Sequence, residues 1–91
     1  MQYEWDDLKN ERNMLERGLD FGLVQDFAWD DAIIVEDVRR NYGERRLRAL
    51  GAIANKLHVL VYTLRGDTLR IISLRRANKR EERIYEKAQK N

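Results

Sequence analysis

The stretch RRLRALGAIANKLHVLVYTLRGDTLRIISL, residues 45–74, decides the fold because it contains three runs rich in apolar and β-branched residues. Two short breaks between these runs, at 54–56 and 65–67, have the composition of turns. In the first run, small and apolar residues point to one side while Arg46 and Arg48 point to the other. We therefore predict an antiparallel meander with strands over residues 45–53, 57–64 and 68–74.

The N-terminal part of the chain predicts one strand and two helices. Residues 2–5 alternate and are rich in aromatic side chains, as in a short strand. Asp6 can cap a helix that runs to about Arg17, where Gly18 supplies a left-handed stop, and Asp20 can cap a second, shorter helix. The apolar stripes of the two helices are Leu8, Leu15 and Leu19, and Phe21, Val24, Phe27 and Ala28.

The remaining elements complete an α+β arrangement. Residues 32–35 are short, apolar and β-branched, which predicts a strand. Asn78 followed by Glu81 has the spacing of a capping box and predicts a last helix that ends near Lys87. The predicted order is βααββββα. We expect a mostly antiparallel sheet with two N-terminal helices and one C-terminal helix, all covering one face.

Composition excludes several classes of protein. With 91 residues the chain is predicted to form one domain over residues 1–91. The absence of Cys excludes disulfide scaffolds, thiol catalysis and Cys-ligated zinc, and a single His, His58, excludes a multi-His metal site. The longest apolar run is too short to span a bilayer, and the acidic start is unlike a signal peptide. We expect a reduced, soluble, cytoplasmic protein.

Charge is divided unevenly along the chain. Residues 1–37 carry three basic and eleven acidic side chains, whereas residues 38–91 carry fifteen basic and five acidic ones, for a net charge of +2. Such a division predicts one basic face that binds phosphate or an acidic protein partner. The alternative is that the acidic half folds against the basic half and neutralises it.

The strongest candidate site follows the last strand of the meander. Regular alternation places Arg70 on one face with Ile72 and Leu74, and Arg75 on the other face. An arginine between apolar strand residues is costly to bury unless an anion meets it, and guanidinium groups bind phosphate through paired hydrogen bonds. The alternative is that Arg70 is solvated or pairs with a carboxylate of the chain itself.

Two residues of the last helix are candidates for proton transfer. Glu81 falls within the apolar stripe, where burial would raise its pKa or an arginine such as Arg70 would pair with it. Either state suits a general base for a ribose 2′-hydroxyl, although a capping-box role explains Glu81 equally well. Tyr85, one turn further on, is a candidate proton donor or base-stacking residue, or simply a core residue.

Further basic and polar residues are candidates for RNA binding. Lys9, Asn13 and Arg17 form a stripe on the first helix that borders the basic region or is merely a solvated face. Arg45 and Arg76 add positive charge to the sheet. The chain has no Gly-rich phosphate loop, HExxH motif or EF-hand pattern, so we predict no cofactor and no metal. The single histidine is interpreted as a packed residue rather than a catalyst.

A resemblance to a known family sharpens these hypotheses. The chain resembles the BrnT family of type II toxins, small bacterial ribonucleases related in fold to RelE. The opening Tyr3-Glu4-Trp5-Asp6 and the Arg70-Ile71-Ile72-Ser73 stretch are the most specific matches. The other matching residues are Lys9, Asn13, Gly18-Leu19-Asp20-Phe21, Glu44, Arg45, Gly51, Arg75, Ala77, Glu81 and Tyr85.

The resemblance implies a RelE-like fold and a toxin that cuts RNA without a metal and halts translation. It further implies a ribbon-helix-helix antitoxin, BrnA-like, which covers the toxin and represses the shared operon, so that the toxin meets DNA only through its partner. By the same resemblance, Arg70 and Arg75 clamp the scissile phosphate, while Glu81 and Tyr85 transfer protons. The implied chemistry is attack by the 2′-hydroxyl to leave a 2′,3′-cyclic phosphate.

One departure from the family concerns the end of the first helix. The family has Lys-His-Gly where this chain has Glu16-Arg17-Gly18. Arg17 cannot be deprotonated near neutral pH, so any acid–base role of that histidine is lost, although Arg17 can still bind phosphate. A catalytically weakened nucleic-acid-binding module, or a protein-interaction module of the same fold, is therefore the alternative function.

Overall fold

The computed structural model describes residues 1–90, which contain five strands and two α-helices joined by short connections. Two 3-10 helices follow the first α-helix and are called η1 and η2. The bounds are β1 Gln2–Trp5, α1 Asp7–Arg17, η1 Phe21–Asp26, η2 Trp29–Asp31, β2 Ile33–Glu36, β3 Leu47–Ile53, β4 Lys56–Arg65, β5 Thr68–Arg76 and α2 Lys79–Gln89. The chain is α+β, as predicted.

The five strands form one mixed sheet in the order β1-β5-β4-β3-β2. The predicted meander of β3, β4 and β5 is confirmed, but β1 pairs with β5 in parallel, so the prediction of a mostly antiparallel sheet is wrong. Alternation in residues 2–5 identifies a strand without revealing its partner or direction, because the pairing joins the two ends of the chain.

The two faces of the sheet differ in what covers them. One, the core face, carries Leu60, Ile71 and Leu74 and is packed by η1. The other, the arginine face, carries Arg48, Arg70 and Arg75, and α2 lies across it against β3. The prediction that all helices cover one face is therefore wrong, because the polar C-terminal helix packs on the side opposite the main core.

Helix α1 begins and ends as predicted, but the face that it packs against the rest of the protein is not the predicted one. The Asp6 carboxylate accepts hydrogen bonds from the first turn, and Gly18 adopts a left-handed conformation at φ 71°. The predicted leucine stripe is wrong for Leu8 and Leu15, which are 75% and 88% exposed, whereas Leu19 packs against the core. The buried residue of α1 is Asn13. Hydrogen bonds to distant backbone, rather than apolar spacing, decide the orientation of this helix.

The predicted second α-helix is replaced by η1 and η2. Its residues Phe21, Val24 and Phe27 are buried in the core as expected, but they follow 3-10 geometry. The backbone becomes extended at Phe27, whose ring lies over Gly51 of β3. A Cβ atom at Gly51 would lie 2.6 Å from Phe27 Cζ, so this close approach requires glycine.

A β-bulge in β5 alters which side chains share a face. Tyr62 pairs with Ile71 but Val61 pairs with Ser73, so Ile72 is an extra residue in β5. Beyond the bulge the alternation is shifted by one position. As a result Arg70 and Arg75, opposite Thr63 and Val59 of β4, lie on the same face. The sequence-based placement of these two arginines on opposite faces is therefore wrong.

Candidate active site

The most defined cluster on the arginine face is an ion pair at the junction of β5 and α2. Arg75 donates from both terminal nitrogens to the two carboxylate oxygens of Glu81, each at 2.8 Å. The strand ends one residue later, and Asn78 then caps α2. The chain between the two residues is short, so β5 and α2 fix the fork-like guanidinium directly against the carboxylate. Arg75 keeps 33% of its side chain exposed and remains reachable by an anion.

Glu81 is held in its ionised form by this arrangement. Hydrogen bonds from Arg75, together with one from the backbone of Asn78, lower the pKa of Glu81 from 4.5 to about 2 although burial opposes the change. The capping box with Asn78 is confirmed in both directions. The expected partner of Glu81 was an arginine such as Arg70, and the structure corrects this to Arg75. Glu81 therefore performs two structural tasks in the free protein.

Arg70 occupies the same face but a separate position. Its guanidinium lies 3.3 Å from a carboxylate oxygen of Glu4, which is its partner residue in β1. The β4 residues opposite Arg70 and Arg75 are four residues apart, which separates the two arginines by roughly 13 Å along the sheet. The alternative of a pairing carboxylate within the chain is therefore confirmed for Arg70. Arg70 and Arg75 are spaced for two points on one extended ligand.

Arg48 of β3 belongs to this cluster, although the sequence analysis noted only its charge and its side of the strand and did not select it as a site residue. Its positive charge contributes to the low pKa of Glu81, which places its guanidinium near the ion pair. Its Nε atom is buried and has no hydrogen-bond partner within residues 1–90. The sequence signal was present, since Arg48 alternates with the core residue Ala49 and shares a face with Leu50. The argument that an arginine between apolar strand residues needs an anion was applied to Arg70 of β5 but not to Arg48 of β3.

The loop between β2 and β3 brings a further arginine to the site. Arg39 forms a two-pronged pair with Asp37, at 2.8 and 2.7 Å, and the Tyr42 hydroxyl donates to the same carboxylate at 3.3 Å. The hydrogen bonds from Arg39 hold the pKa of the buried Asp37 well below its usual range. The hydrogen bonds to Glu81 raise the pKa of Arg75, and the charge of Arg39 is a minor opposing influence. Sequence reasoning missed both Asp37 and Arg39.

Comparison with known families identifies the group of proteins to which the chain belongs. A family model described as "Ribonuclease toxin, BrnT, of type II toxin-antitoxin system" matches residues 5–81. The chain belongs to the BrnT family. It is thus a member of a ribonuclease toxin family, and a toxin of this kind has an RNA target and an antitoxin partner. No curated protein matches the chain.

In the toxin, Tyr85 lies one turn after Glu81 on α2 and is half-buried. The Tyr85 hydroxyl has no hydrogen-bond partner among the residues that the structure describes. Tyr85 does not belong to the hydrophobic core. Proximity along the helix to Glu81 is what supports a role in the site. Its assignment to proton transfer or base stacking stays a prediction.

Two predicted RNA-binding residues lie away from the ion pair. Arg76 follows Arg75 in β5 but pairs with His58 of β4, which places it on the core face. Arg45 is exposed and lies 3.6 Å from Glu36. Burial raises the pKa of Tyr62, and the charge of Arg45 only partly opposes that rise. Both arginines therefore lie apart from the cluster of Arg48, Arg75 and Glu81.

The polar stripe predicted on α1 is divided by the structure. Lys9 and Arg17 are exposed, but Asn13 is only 7% exposed and is used internally. Its amide nitrogen donates to the Leu19 carbonyl at 2.9 Å, and its oxygen accepts from the Leu74 backbone at 3.4 Å. The interpretation of Asn13 as an RNA-binding residue is corrected to a structural one, since both ends of its side chain are occupied.

His58 is a packed residue of the core face, as the sequence interpretation had it. It is 4% exposed, and its Nδ1 atom lies 2.7 Å from the Lys56 carbonyl oxygen. Burial lowers the pKa of His58 below 6.5, and the nearby charge of Arg76 acts in the same direction. Within residues 1–90, no three His, Asp or Glu side chains gather as metal ligands, and no helix is long and apolar enough to span a membrane.

Proposed function

We propose that the arginine face cleaves RNA without a metal, by attack of a ribose 2′-hydroxyl on the adjacent phosphate. The observation that carries this proposal is the Arg75–Glu81 pair, a cation and a carboxylate joined by two 2.8 Å hydrogen bonds and partly open to solvent. Arg48, which lines the same cavity as Glu81, adds positive charge near the pair. The family supplies the reaction class, a ribonuclease toxin.

Arg75 binds the scissile phosphate in this proposal by exchanging one anion for another. In the free protein its two donors are occupied by Glu81. A phosphate offers the same paired acceptors, so it can take over these hydrogen bonds without leaving the guanidinium unpaired. Arg70, on the same face and roughly 13 Å away along the strand, holds another part of the RNA backbone.

Glu81 becomes a competent base through the same exchange. Its pKa of about 2 depends first on the hydrogen bonds from Arg75, so transfer of Arg75 to phosphate returns that pKa toward 4.5. The carboxylate then accepts the proton of the 2′-hydroxyl while the 2′-oxygen bonds to phosphorus. The bond to the 5′-oxygen breaks, Tyr85 supplies the proton to that oxygen, and the products are a 2′,3′-cyclic phosphate and a 5′-hydroxyl.

The biological consequences in this proposal follow from RNA cleavage in the cytoplasm. Cutting of messenger RNA halts translation, and a ribbon-helix-helix antitoxin neutralises the toxin and carries the contact with DNA. An antitoxin partner is implied by the type II family. Lys9 and Arg17 remain predicted contacts for the RNA backbone on α1, where their side chains are exposed.

A binding module that has lost catalysis is the second candidate. Two observations favour it. Arg17 replaces a histidine typical of the family, and Glu81 is tied into both an ion pair and a capping box. In that case the arginine face would bind RNA but leave it intact.

The deciding experiment is RNA cleavage by the purified protein in excess EDTA, comparing the unchanged chain with Glu81→Gln and Glu82→Gln. Glu82 is the neighbouring acidic residue of the first turn of α2 and serves as the matched control. We expect cleavage in EDTA to give cyclic phosphate ends, a loss of roughly 10²–10⁴-fold in Glu81→Gln, and a near-normal rate in Glu82→Gln.

Each of three results would contradict part of this proposal. A requirement for added Mg²⁺ would exclude the metal-free mechanism. Full cleavage by Glu81→Gln together with a lower melting temperature would leave Glu81 only its capping role. RNA that is bound by the unchanged protein but never cut would establish the binding module instead.

A further inference from the structure

A cavity of about 320 Å³ lies between α2 and the arginine face, next to the Arg75–Glu81 pair. Its walls are aliphatic and come from three strands and the helix. They are formed by Ile33, Val35, Leu50, Val59 and Ile84. Glu81 lines the same cavity, so the carboxylate of the ion pair separates this apolar space from Arg75. A ligand bound to Arg75 therefore has an apolar compartment immediately beside it.

Arg48 also lines this cavity, and its side chain is incompletely satisfied. Its Nε atom is buried without a hydrogen-bond partner among the described residues, and no carboxylate of residues 1–90 forms an ion pair with it. Because Nε has no accessible surface, a ligand in the cavity would meet the rest of the Arg48 guanidinium, which carries the positive charge. The cavity thus joins apolar walls to a cation that forms no ion pair within residues 1–90.

We propose that this cavity is a subsite for one nucleobase of the RNA, the base next to the phosphate held by Arg75. The inference rests on the proposed function and adds to it the part of the substrate that determines sequence preference. A nucleobase has two apolar faces and a polar edge, which match the aliphatic walls and the Arg48 guanidinium. Arginine also stacks on bases and donates to their acceptor edges.

The polar residues around the cavity favour a base over an apolar side chain of a protein partner. Arg80 and Asn78 join Arg48 at its lining, so cationic and amide donors surround the aliphatic walls. An aliphatic side chain would fill the space but bring no acceptor to the Arg48 guanidinium. A base attached to a phosphate fills the space and supplies acceptors, and the negative charge of the phosphate then lies toward Arg75.

The test measures binding of the four nucleoside 3′-monophosphates and of inorganic phosphate to the full-length protein by calorimetry. We expect at least one nucleotide to bind about tenfold more tightly than phosphate, and Arg48→Met to remove most of that difference. Ile84→Ala, which opens the apolar wall, should reduce it as well. The control for Arg48→Met is Arg83→Met, which removes an exposed arginine of α2. The control for Ile84→Ala is Leu64→Ala. Leu64 is 49% exposed and Ile84 is 48% exposed, so the two alanine variants are matched.

Thermal unfolding of Arg48→Met separates a binding role from a structural one. Because Arg48 Nε is buried without a partner, its removal should leave the melting temperature unchanged or higher while base discrimination is lost. A large drop in melting temperature with discrimination intact would assign Arg48 to the fold and overturn the proposal.

The outcomes also distinguish the subsite from the phosphate site on which it rests. Equal affinity for phosphate and for all four nucleotides would overturn the subsite and leave the phosphate site standing. Absence of binding by any of these ligands would overturn both. If Arg48→Met and Ile84→Ala weaken binding of the purified antitoxin while the nucleotide preference is unchanged, the cavity docks protein rather than a base.

Discussion

The two faces of the sheet treat their polar groups in opposite ways. On the core face, Asn13 and His58 are buried and each has a hydrogen-bond partner in the backbone. On the arginine face, the buried Nε atom of Arg48 has no hydrogen-bond partner within residues 1–90, and that of Arg46 has only a Glu44 carboxylate oxygen at 3.5 Å. The first pattern is that of a side built for stability. The second leaves guanidinium groups whose hydrogen bonds within residues 1–90 are incomplete.

The charges show the same contrast. The core cluster consists of apolar and aromatic side chains, and Leu60 and Leu74 are completely buried. The arginine face instead relies on ion pairs whose cations remain 29–62% exposed, as in Arg70, Arg75 and Arg39. Exposed pairs of this kind add little to stability. Their value lies in keeping arginines oriented and accessible, so that substitutions on the two faces should affect different properties.

The largest effect should come from a pair of neighbouring arginines that lie on opposite faces. Arg75→Ala removes the guanidinium that binds phosphate in the proposed site, whereas Arg76→Ala removes one from the core face. We expect RNA cleavage to fall by roughly 10²–10³-fold in the first variant, about 3–4 kcal/mol, and to stay close to normal in the second. The measurement is the single-turnover rate on one RNA. Equal losses would show that RNA contacts both faces.

A smaller effect, on the free energy of unfolding, should separate a buried from an exposed polar residue of α1. Asn13→Ala removes two hydrogen bonds to buried backbone, at Leu19 and Leu74, and should lower the free energy of unfolding by about 1–3 kcal/mol. Lys9→Ala, one turn earlier and exposed, should change it by less than about 0.5 kcal/mol. Urea unfolding gives both values. An Asn13 variant of normal stability but weakened RNA binding would restore its predicted role in binding.

Local signals in the sequence predicted the ends of the helices well. Asp6, Gly18 and the Asn78–Glu81 capping box act within a few residues of the chain, so their effect does not depend on tertiary structure. The meander was equally accessible, because its strands are consecutive and separated by turns. Arg75 and Glu81 were each selected as candidates from residue type, but the sequence suggested Arg70 rather than Arg75 as the partner of Glu81.

The features that sequence reasoning missed depend on residues far apart in the chain. The bulge at Ile72 arises from the pairing of β5 with β4 and decides that Arg70 and Arg75 share a face. The orientation of α1 depends on the bond between Asn13 and Leu74, which are 61 positions apart. Leucine spacing alone therefore predicted the wrong buried side. Likewise, the lack of a hydrogen-bond partner for Arg48 Nε can be seen only in the folded structure, where the neighbouring strands surround it.

The smallest effect should be a difference in acid sensitivity between the faces. Burial lowers the pKa of His58 below 6.5, so the unfolded chain binds its proton more readily and core-face stability is lost as pH falls below 6.5. For Glu81 the folded pKa of about 2 lies below the ordinary 4.5, so its contribution is complete above pH 4.5 and is lost as pH falls toward 2. Because Arg75 is one-third exposed, we discount that contribution to about 1–2 kcal/mol.

Two single variants can separate these windows in urea unfolding measured from pH 8 to pH 2. His58→Gln should flatten the decline that begins below pH 6.5 and leave the acidic part of the curve unchanged. Glu81→Gln should flatten the decline between pH 4.5 and 2 and leave the higher range unchanged. If both variants altered the same window, the two faces would be coupled through β5. In that case the ion pair would contribute to the core as well as to the site.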